Sequence, residues 1–395
     1  MHQMKRVALV KCSSYHRQEV EQALDRAIGL LGGWKAFISP GQKVLIKPNL
    51  LIAATPDKCI TTHPEVVRAV AKSLMQNGCH VTIADSPGAG VLYTESALRK
   101  AYSLSGWQSV AEELGAELNF RTDYREVPCP EGRMLKRFLI IEPALEAEVI
   151  ISLPKAKTHM LTTMTGAVKN LFGVVPSIEK PALHARFPSL DAFSDMLLDL
   201  NQLIRPRLHI MDAIIGMEGD GPHTGEPRHI GAILASEDPH ALDYVAARIM
   251  SLEPMEVGTL AAAQRRGLIR ADGTDIELVG DELNDFVIKD FKRPRTKDRQ
   301  KGFSEGRLAS LALSLVKAYS LRPQVDREIC TGCGRCERIC PKGAVTVRKG
   351  KARIRARSCI RCFCCHEMCA SKAIVLRRSA SGRVLARLVE RRSKG

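Results

Sequence analysis

No stretch of this chain is apolar over the roughly 20 residues that a membrane-crossing helix requires. The longest such run, 308–316, reads Leu-Ala-Ser-Leu-Ala-Leu-Ser-Leu-Val, too short to span a bilayer. Met1 to Val10 hold an apolar run too short for a secretory signal and lead directly into a strand pattern. Without export a disulfide framework lacks its oxidising compartment, so the 13 cysteines are expected as thiols in the cytoplasm. No G-x-G-x-x-G follows a first strand and no G-x-x-x-x-G-K-[ST] occurs, which removes the usual carriers of dinucleotide and nucleoside-triphosphate binding. Histidines at metal-binding spacing are absent as well. Acidic residues thin out in the last quarter: 291–395 carry 28 Lys and Arg against 7 Asp and Glu, whereas the preceding residues carry 31 against 36.

Cysteine is concentrated where acid is scarce. Cys330, Cys333, Cys336 and Cys340, followed by Pro341, form a C-x2-C-x2-C-x3-C run, and Cys359, Cys362, Cys365 and Cys369 repeat it. Three thiolates two residues apart on one tight loop can reach three irons of one cubane, and the fourth must come from elsewhere. Zinc takes C-x2-C pairs separated by a loop and has no use for eight cysteines in two four-fold runs. Between the runs, Val345 to Ile354 alternates apolar and basic residues around Lys349-Gly350-Lys351, which predicts a β-hairpin. Ala373 to Leu376 supplies a matching strand. Over about fifty residues this stretch resembles the bacterial-type 2[4Fe-4S] ferredoxin domain. The resemblance implies two [4Fe-4S] clusters, in which the fourth cysteine of each run ligates the other cluster. One set is then Cys330, Cys333, Cys336 and Cys369, and the other Cys359, Cys362, Cys365 and Cys340. Ala370 stands where Pro341 stands in the first run, and Cys364 falls outside both spacings as a spare thiol.

The first 290 residues alternate strand-like and helix-like patterns, which predicts an α/β core domain with a mostly parallel sheet. Strands are expected at Val7–Val10, Lys43–Ile46, Val81–Ala84, Glu148–Leu153, Arg207–Met211 and Gly231–Ala235. Helices are expected near 17–31, 64–76 with Thr62 as N-cap, 95–118, 165–172, 189–204 and 241–250. The charged, Pro-containing segment 120–135 reads as loop, Lys155–His159 as the loop after a strand, and Gly216–Gly225 as too glycine-rich for regular structure. Residues 291–323 read as a basic linker with an amphipathic helix, 324–380 as the small α+β ferredoxin-like domain, and 381–395 as a basic tail.

Polar residues collect just after the expected strands, where open α/β sheets bind ligands. Lys47, Asn49, Lys155, Lys157, Lys169 and Asn170 would suit a carboxylate or phosphate, while Asp85, Asp212 and His159 could move a proton. Helix caps and structural ion pairs compete for any one of them. The motifs Lys47-Pro-Asn-Leu50, Asp85-Ser-Pro-Gly88, Leu153-Pro-Lys-Ala-Lys-Thr-His159, Thr165 to Gly173, Asp212 to Gly225 and Ala235 to Asp243 resemble the domain of unknown function 362 over roughly residues 5–285. That resemblance implies a pairing with a ferredoxin module and supplies no catalytic residue. The expectation is an iron-sulfur oxidoreductase acting on an anionic small molecule, with a carrier or maturation factor that docks a client protein as the alternative. The basic stretch 291–395 should attract an acidic electron-transfer partner or client protein, the chain's own core, a membrane surface or nucleic acid, with a solvated basic face as the plain alternative.

Overall fold

Runs such as Val149-Ile-Ile-Ser-Leu153 are buried at every position, as strands covered on both faces must be, and they fix the sheet at the centre of the molecule. The computed structural model describes residues 4–88, 91, 93–295, 322–340, 342–361 and 364–377. The chain runs β1 (Lys5–Lys11), α1 (Arg17–Leu30), β2 (Lys43–Pro48), α2 (Pro64–Gln76), β3 (His80–Ile83), α3 (Glu95–Leu104), α4 (Trp107–Leu114), β4 (Glu117–Leu118), β5 (Tyr124–Pro128), β6 (Arg137–Ile141) and α5 (Glu142–Glu146). It continues through β7 (Val149–Leu153), β8 (Lys155–His159), β9 (Thr163–Met164), α6 (Gly166–Asn170), α7 (Lys180–Arg186), α8 (Leu190–Ile204), β10 (Leu208–Glu218), β11 (Glu226–Ser236), α9 (Pro239–Ile249), α10 (Gly258–Arg265) and β12 (Ile276–Gly280).

The main sheet has the order β12-β1-β11-β10-β7-β2-β3-β4, with β8 branching from β10 and β9 pairing with β8. Pairing is parallel from β10 through β7, β2 and β3 to β4, and between β1 and β12; β11 lies antiparallel to both its neighbours. This is the mostly parallel α/β core expected. The chain builds outward from β2 to β4 and returns on the other side of β2 as β7. That reversal leaves a crevice at the carboxyl ends of β2 and β7, the usual ligand position in such sheets. Register puts Lys47 beside Ser152, so the two strands deliver polar groups at one level.

Several local expectations are corrected. The segment 120–135 contains β5, which pairs with β6 in an antiparallel ribbon. Lys155–His159 is the strand β8, its five residues all buried; pairing with β10 overrode a polar sequence. Asp212, expected just past a strand, lies inside β10, which runs on to Glu218. The cap of α2 is His63, whose ring accepts the Glu65 N–H, because the Thr62 hydroxyl is engaged by Asn49 N and Leu153 O. Helix is broken at Gly106, whose left-handed backbone (φ 79°) separates α3 from α4. Residues 291–295, placed in a linker, are tied to the core: Lys292 N donates to Glu218 and Gly219 N to Lys292 O. The expected helix at 308–319 and the tail 381–395 lie outside the described residues.

The second unit comprises β13 (Arg322–Val325), α11 (Arg335–Arg338), β14 (Val345–Arg348), β15 (Lys351–Ile354), α12 (Cys364–Glu367) and β16 (Ile374–Arg377). β14 and β15 form the expected hairpin, with Lys349 (φ 49°) and Gly350 (φ 69°) both left-handed, as a two-residue type I′ turn demands. β13 pairs antiparallel with β16. The small unit packs on the core through Ile52 and Val91, which join its own apolar cluster.

Candidate functional site: a cationic cavity beside the cysteine module

At the crevice, Lys47 and Asp85 form an ion pair of 2.8 Å in which each side chain is 1% exposed. Lys47 leaves the end of β2 and Asp85 follows β3, so adjacent parallel strands bring them together. Lys47 Nζ also donates to Pro48 O and Asn170 Oδ1, and Asp85 accepts the Leu50 N–H at 2.7 Å. Burial pushes the Asp85 carboxyl up, opposed by Lys47 and Lys180; burial pulls the Lys47 ammonium down, opposed by Asp85. Gly173 closes over the pair, and a Cβ there would collide with both groups.

Against this pair lies a cavity of about 50 Å³, lined among others by Asn49, Asp85, Lys157, Lys169, Asn170 and Lys180. Lys157 Nζ donates to Asn49 Oδ1 and Ile60 O, each at 2.6 Å. Asn49 in turn donates to Asn170 Oδ1 at 2.9 Å, and Asn170 to Ser152 Oγ at 2.9 Å. Lys180 donates to Ser86 O at 2.8 Å and Pro87 O at 2.6 Å. Carbonyl and amide oxygens satisfy ammonium protons without cancelling charge. Among the described lining residues Asp85 is the one carboxylate, and Lys47 already holds it. Lys157, Lys169 and Lys180 bring positive charge to the cavity wall. Burial lowers Lys180 to about 7, with Lys47 and Lys169 acting in the same direction and Asp85 against it. Burial likewise takes His184 down to about 3, so this wall contributes a neutral imidazole.

The short helix α6 that carries Lys169 and Asn170 is held by Asp243, which accepts the N–H groups of Ala167 and Val168 at its first turn. Gly166 is left-handed there (φ 59°), and a Cβ would strike the Asp243 carboxylate.

Lys155, Asp212 and His159 do not line this cavity, which corrects their placement in one shared site. Lys155 and Asp212 form a second buried pair, 2.7 Å apart, because they are register partners across β8 and β10. Asp212 also accepts the Tyr15 hydroxyl at 2.8 Å and the His63 N–H at 2.9 Å. Tyr15 stacks on His63 with ring centres 3.5 Å apart, and burial takes His63 down to about 4. His159 sits behind the cavity among Lys169, His184 and Lys157, and burial holds it well below the usual histidine range. Its Nδ1 accepts from Leu161 N and Thr162 N. In the glycine loop, Gly219 N donates to Lys292 O and Gly221 N to Gly219 O.

The cysteine module meets the core at that loop. His366, between Cys365 and Cys369, donates from Nδ1 to Ile374 O and meets Thr224 Oγ1 with Nε2 at 3.2 Å. The His223 and His366 rings are 5.8 Å apart, and His223 lies against the Cys369 backbone. Leu51 and Pro222 line the cavity, while their chain neighbours Ile52 and His223 touch the module. A single peptide bond thus separates a cavity-lining residue from one that touches the module at two places.

Within the module, the Cys336 thiol is pushed up to about 11 by burial and then by Cys369, Cys333 and Cys330, which places those four together. Cys340 Sγ and Cys369 Sγ each accept the N–H four residues ahead, from Ala344 and Ala373, at 3.1 Å. Cys330 Sγ accepts from Ala352 N. Amide donors aimed at thiolate sulfurs are what an iron-sulfur cluster uses to stabilise its negative charge. When bound, such a cluster accepts and releases single electrons. Cys362 lies outside the described residues.

An α/β core fused to a module of this kind defines an iron-sulfur electron carrier. Residues 323–346 match the 4Fe-4S binding domain, and residues 44–248 match the family described as Domain of unknown function (DUF362). The chain belongs to that DUF362 family. It is 35% identical over 293 residues to the thylakoid-associated protein sll1697 of Synechocystis, covering 74% of this chain and 88% of the relative. It is 40% identical over 45 residues to ferredoxin-1 of Rhodobacter capsulatus, covering 11% of this chain and 69% of the relative. The lactate racemase apoprotein of Thermoanaerobacterium thermosaccharolyticum aligns at 13% identity with a TM-score of 0.36, over 60% of this chain and 55% of that structure. No helix among the described residues is long and apolar enough to cross a membrane.

Sequence reasoning missed Lys180, His184, Tyr15 and His63. Lys180 had a signal in Lys-Pro181, since Pro favours the first turn of a helix. Tyr15 stands in a polar loop with no local mark of burial.

Proposed function

We propose that the protein holds two [4Fe-4S] clusters and is an oxidoreductase exchanging single electrons with a small carboxylate or phosphate in the cationic cavity. Lys157, Lys169 and Lys180 bind the anion, and Asn49 and Asn170 orient it. Asp85, raised by burial, is the group placed to take or give a proton at the cavity wall. Cys330, Cys333, Cys336 and Cys369 hold one cluster, and Cys340, Cys359, Cys362 and Cys365 the other. Each iron then has its own thiolate, so the clusters carry electrons and do not bind the substrate. The observation that supports this reading most is the double contact in which Leu51 and Pro222 face the cavity while Ile52 and His223 face the module.

The test is calorimetry on anaerobically purified protein with phosphate, sulfate and oxalate as probes, repeated on Lys157→Met and Lys169→Met. Loss of binding with clusters intact upholds the proposal; unchanged binding sinks it. The small size of the cavity, about 50 Å³, favours a second reading in which the core docks a client protein. In that case Lys157→Met leaves probe binding unchanged and weakens only association with the client. Residence in the cytoplasm is part of the proposal. The thylakoid association of the Synechocystis relative points instead to a membrane surface, and cell fractionation decides between them.

A further inference from the structure

The cysteine module has a second face that the cavity reading leaves unused. A cleft of about 580 Å³ lies along β13 and β15 and reaches Cys359. Arg322, Arg327, Arg353 and Arg361 line it, and no Asp or Glu is among its described lining residues. Arg327 and Arg353 are exposed, and Arg361 lies within electrostatic range of both Arg322 and Cys359. Four guanidinium groups round one opening, two of them exposed, give the cleft a basic face of the kind that attracts an anionic partner. None of the cleft residues belongs to the core, and neither His366 nor Cys369, which meet the core, lines the cleft.

From this arrangement we propose that the arginine cleft at Cys359 is the docking surface for an acidic one-electron-transfer protein. Guanidinium forks match carboxylates in two-point hydrogen bonds, and the exposed side chains of Gln324, Arg327 and Arg353 on the cleft are open to a docked protein. One electron passes between the docked protein and the module, one partner being oxidised as the other is reduced, with no bond made or broken. The proposal rests on the iron-sulfur reading alone and stands or falls separately from the anion cavity.

The test uses the full anaerobic protein and an acidic flavodoxin as probe, with reduced methyl viologen, a small cation, as control donor. Wild-type reduction by flavodoxin hydroquinone should slow steeply as salt rises, while reduction by viologen should quicken. In Arg327→Glu/Arg353→Glu, two exposed positions, the flavodoxin rate at low salt should fall roughly tenfold or more. Binding of oxidised flavodoxin, read by surface plasmon resonance, should weaken in parallel. The viologen rate should rise, which shows that the clusters remain. Two results overturn the proposal. One is a flavodoxin rate and affinity that the double variant leaves unchanged; the other is saturable blocking of the cleft by pyrophosphate with no salt-dependent flavodoxin binding, which makes it a small-anion site.

Discussion

Replacing Asp85 with Asn tests the buried ion pair at the base of the cavity. The Asn amide oxygen keeps an acceptor for Leu50 N, but its NH2 then faces the Lys47 ammonium 2.8 Å from where the carboxylate stood. Removing one partner of a buried pair leaves the other charge uncompensated and costs about 3–5 kcal/mol. Lys47 can escape by losing its proton, since burial already pulls its pKa down and Asp85 is the group that opposes this. The deficit is therefore full where wild-type Asp85 is ionised and Lys47 must stay charged, and shrinks as pH rises through the lowered Lys47 pKa. Both tryptophans, Trp34 and Trp107, lie in the core unit, so their fluorescence in urea follows this domain without interference from the module. The expected result is a loss of about 3–5 kcal/mol at pH 6 and a smaller loss at pH 9. Because the charge removed is negative, sulfate should bind no more weakly than before. A loss under about 1 kcal/mol at both pH values would refute the reasoning, for it would match an exposed pair.

Other outcomes follow from neighbouring groups. Lys180 titrates near 7 because it is buried, with Lys47 and Lys169 pushing the same way, Asp85 opposing and the neutral His184 nearby. It is charged below that pH and neutral above, so affinity for sulfate, whose own charge is constant over this range, should fall as pH rises through about 7, and calorimetry on Lys180→Met should show a flatter profile. The stability cost of burying Lys180 is complete below about 7 and is relieved toward its ordinary value of 10.5. Gly173→Ala puts a methyl into both Lys47 and Asp85 and should cost about 1–3 kcal/mol, read by the same urea curves. Anaerobic protein should contain roughly eight iron and eight sulfide per chain, and Cys369→Ser or Cys340→Ser should each disturb a different cluster by EPR. Zinc in place of iron would defeat that expectation.

The α/β architecture and the cysteine module were legible because their signals are local: buried apolar runs for the strands and fixed Cys spacings for the cluster runs. The site was legible in part. Lys47, Asn49, Asp85, Lys157, Lys169 and Asn170 lie in or just after strands or on one short helix, and the parallel register brings Lys47 and Asp85 together. Lys155 and Lys157, two residues apart on β8, point to different networks, a separation that could not be seen while the segment was read as loop. Contacts that join distant segments left no trace: Tyr15 with Asp212, Asp243 with α6, and Thr224 with His366. Their partners are 76 to 197 residues apart in the chain, and no periodicity reports such pairings.

The link between cavity and clusters is tested most directly by a reductive titration followed by EPR, with and without saturating phosphate. An anion beside one cluster makes adding an electron harder, so the midpoint potential of one centre should drop while the other stays fixed. By reciprocity, reduction should weaken phosphate binding by the same factor. Identical titrations in the two conditions, with calorimetry showing phosphate bound, would contradict the account.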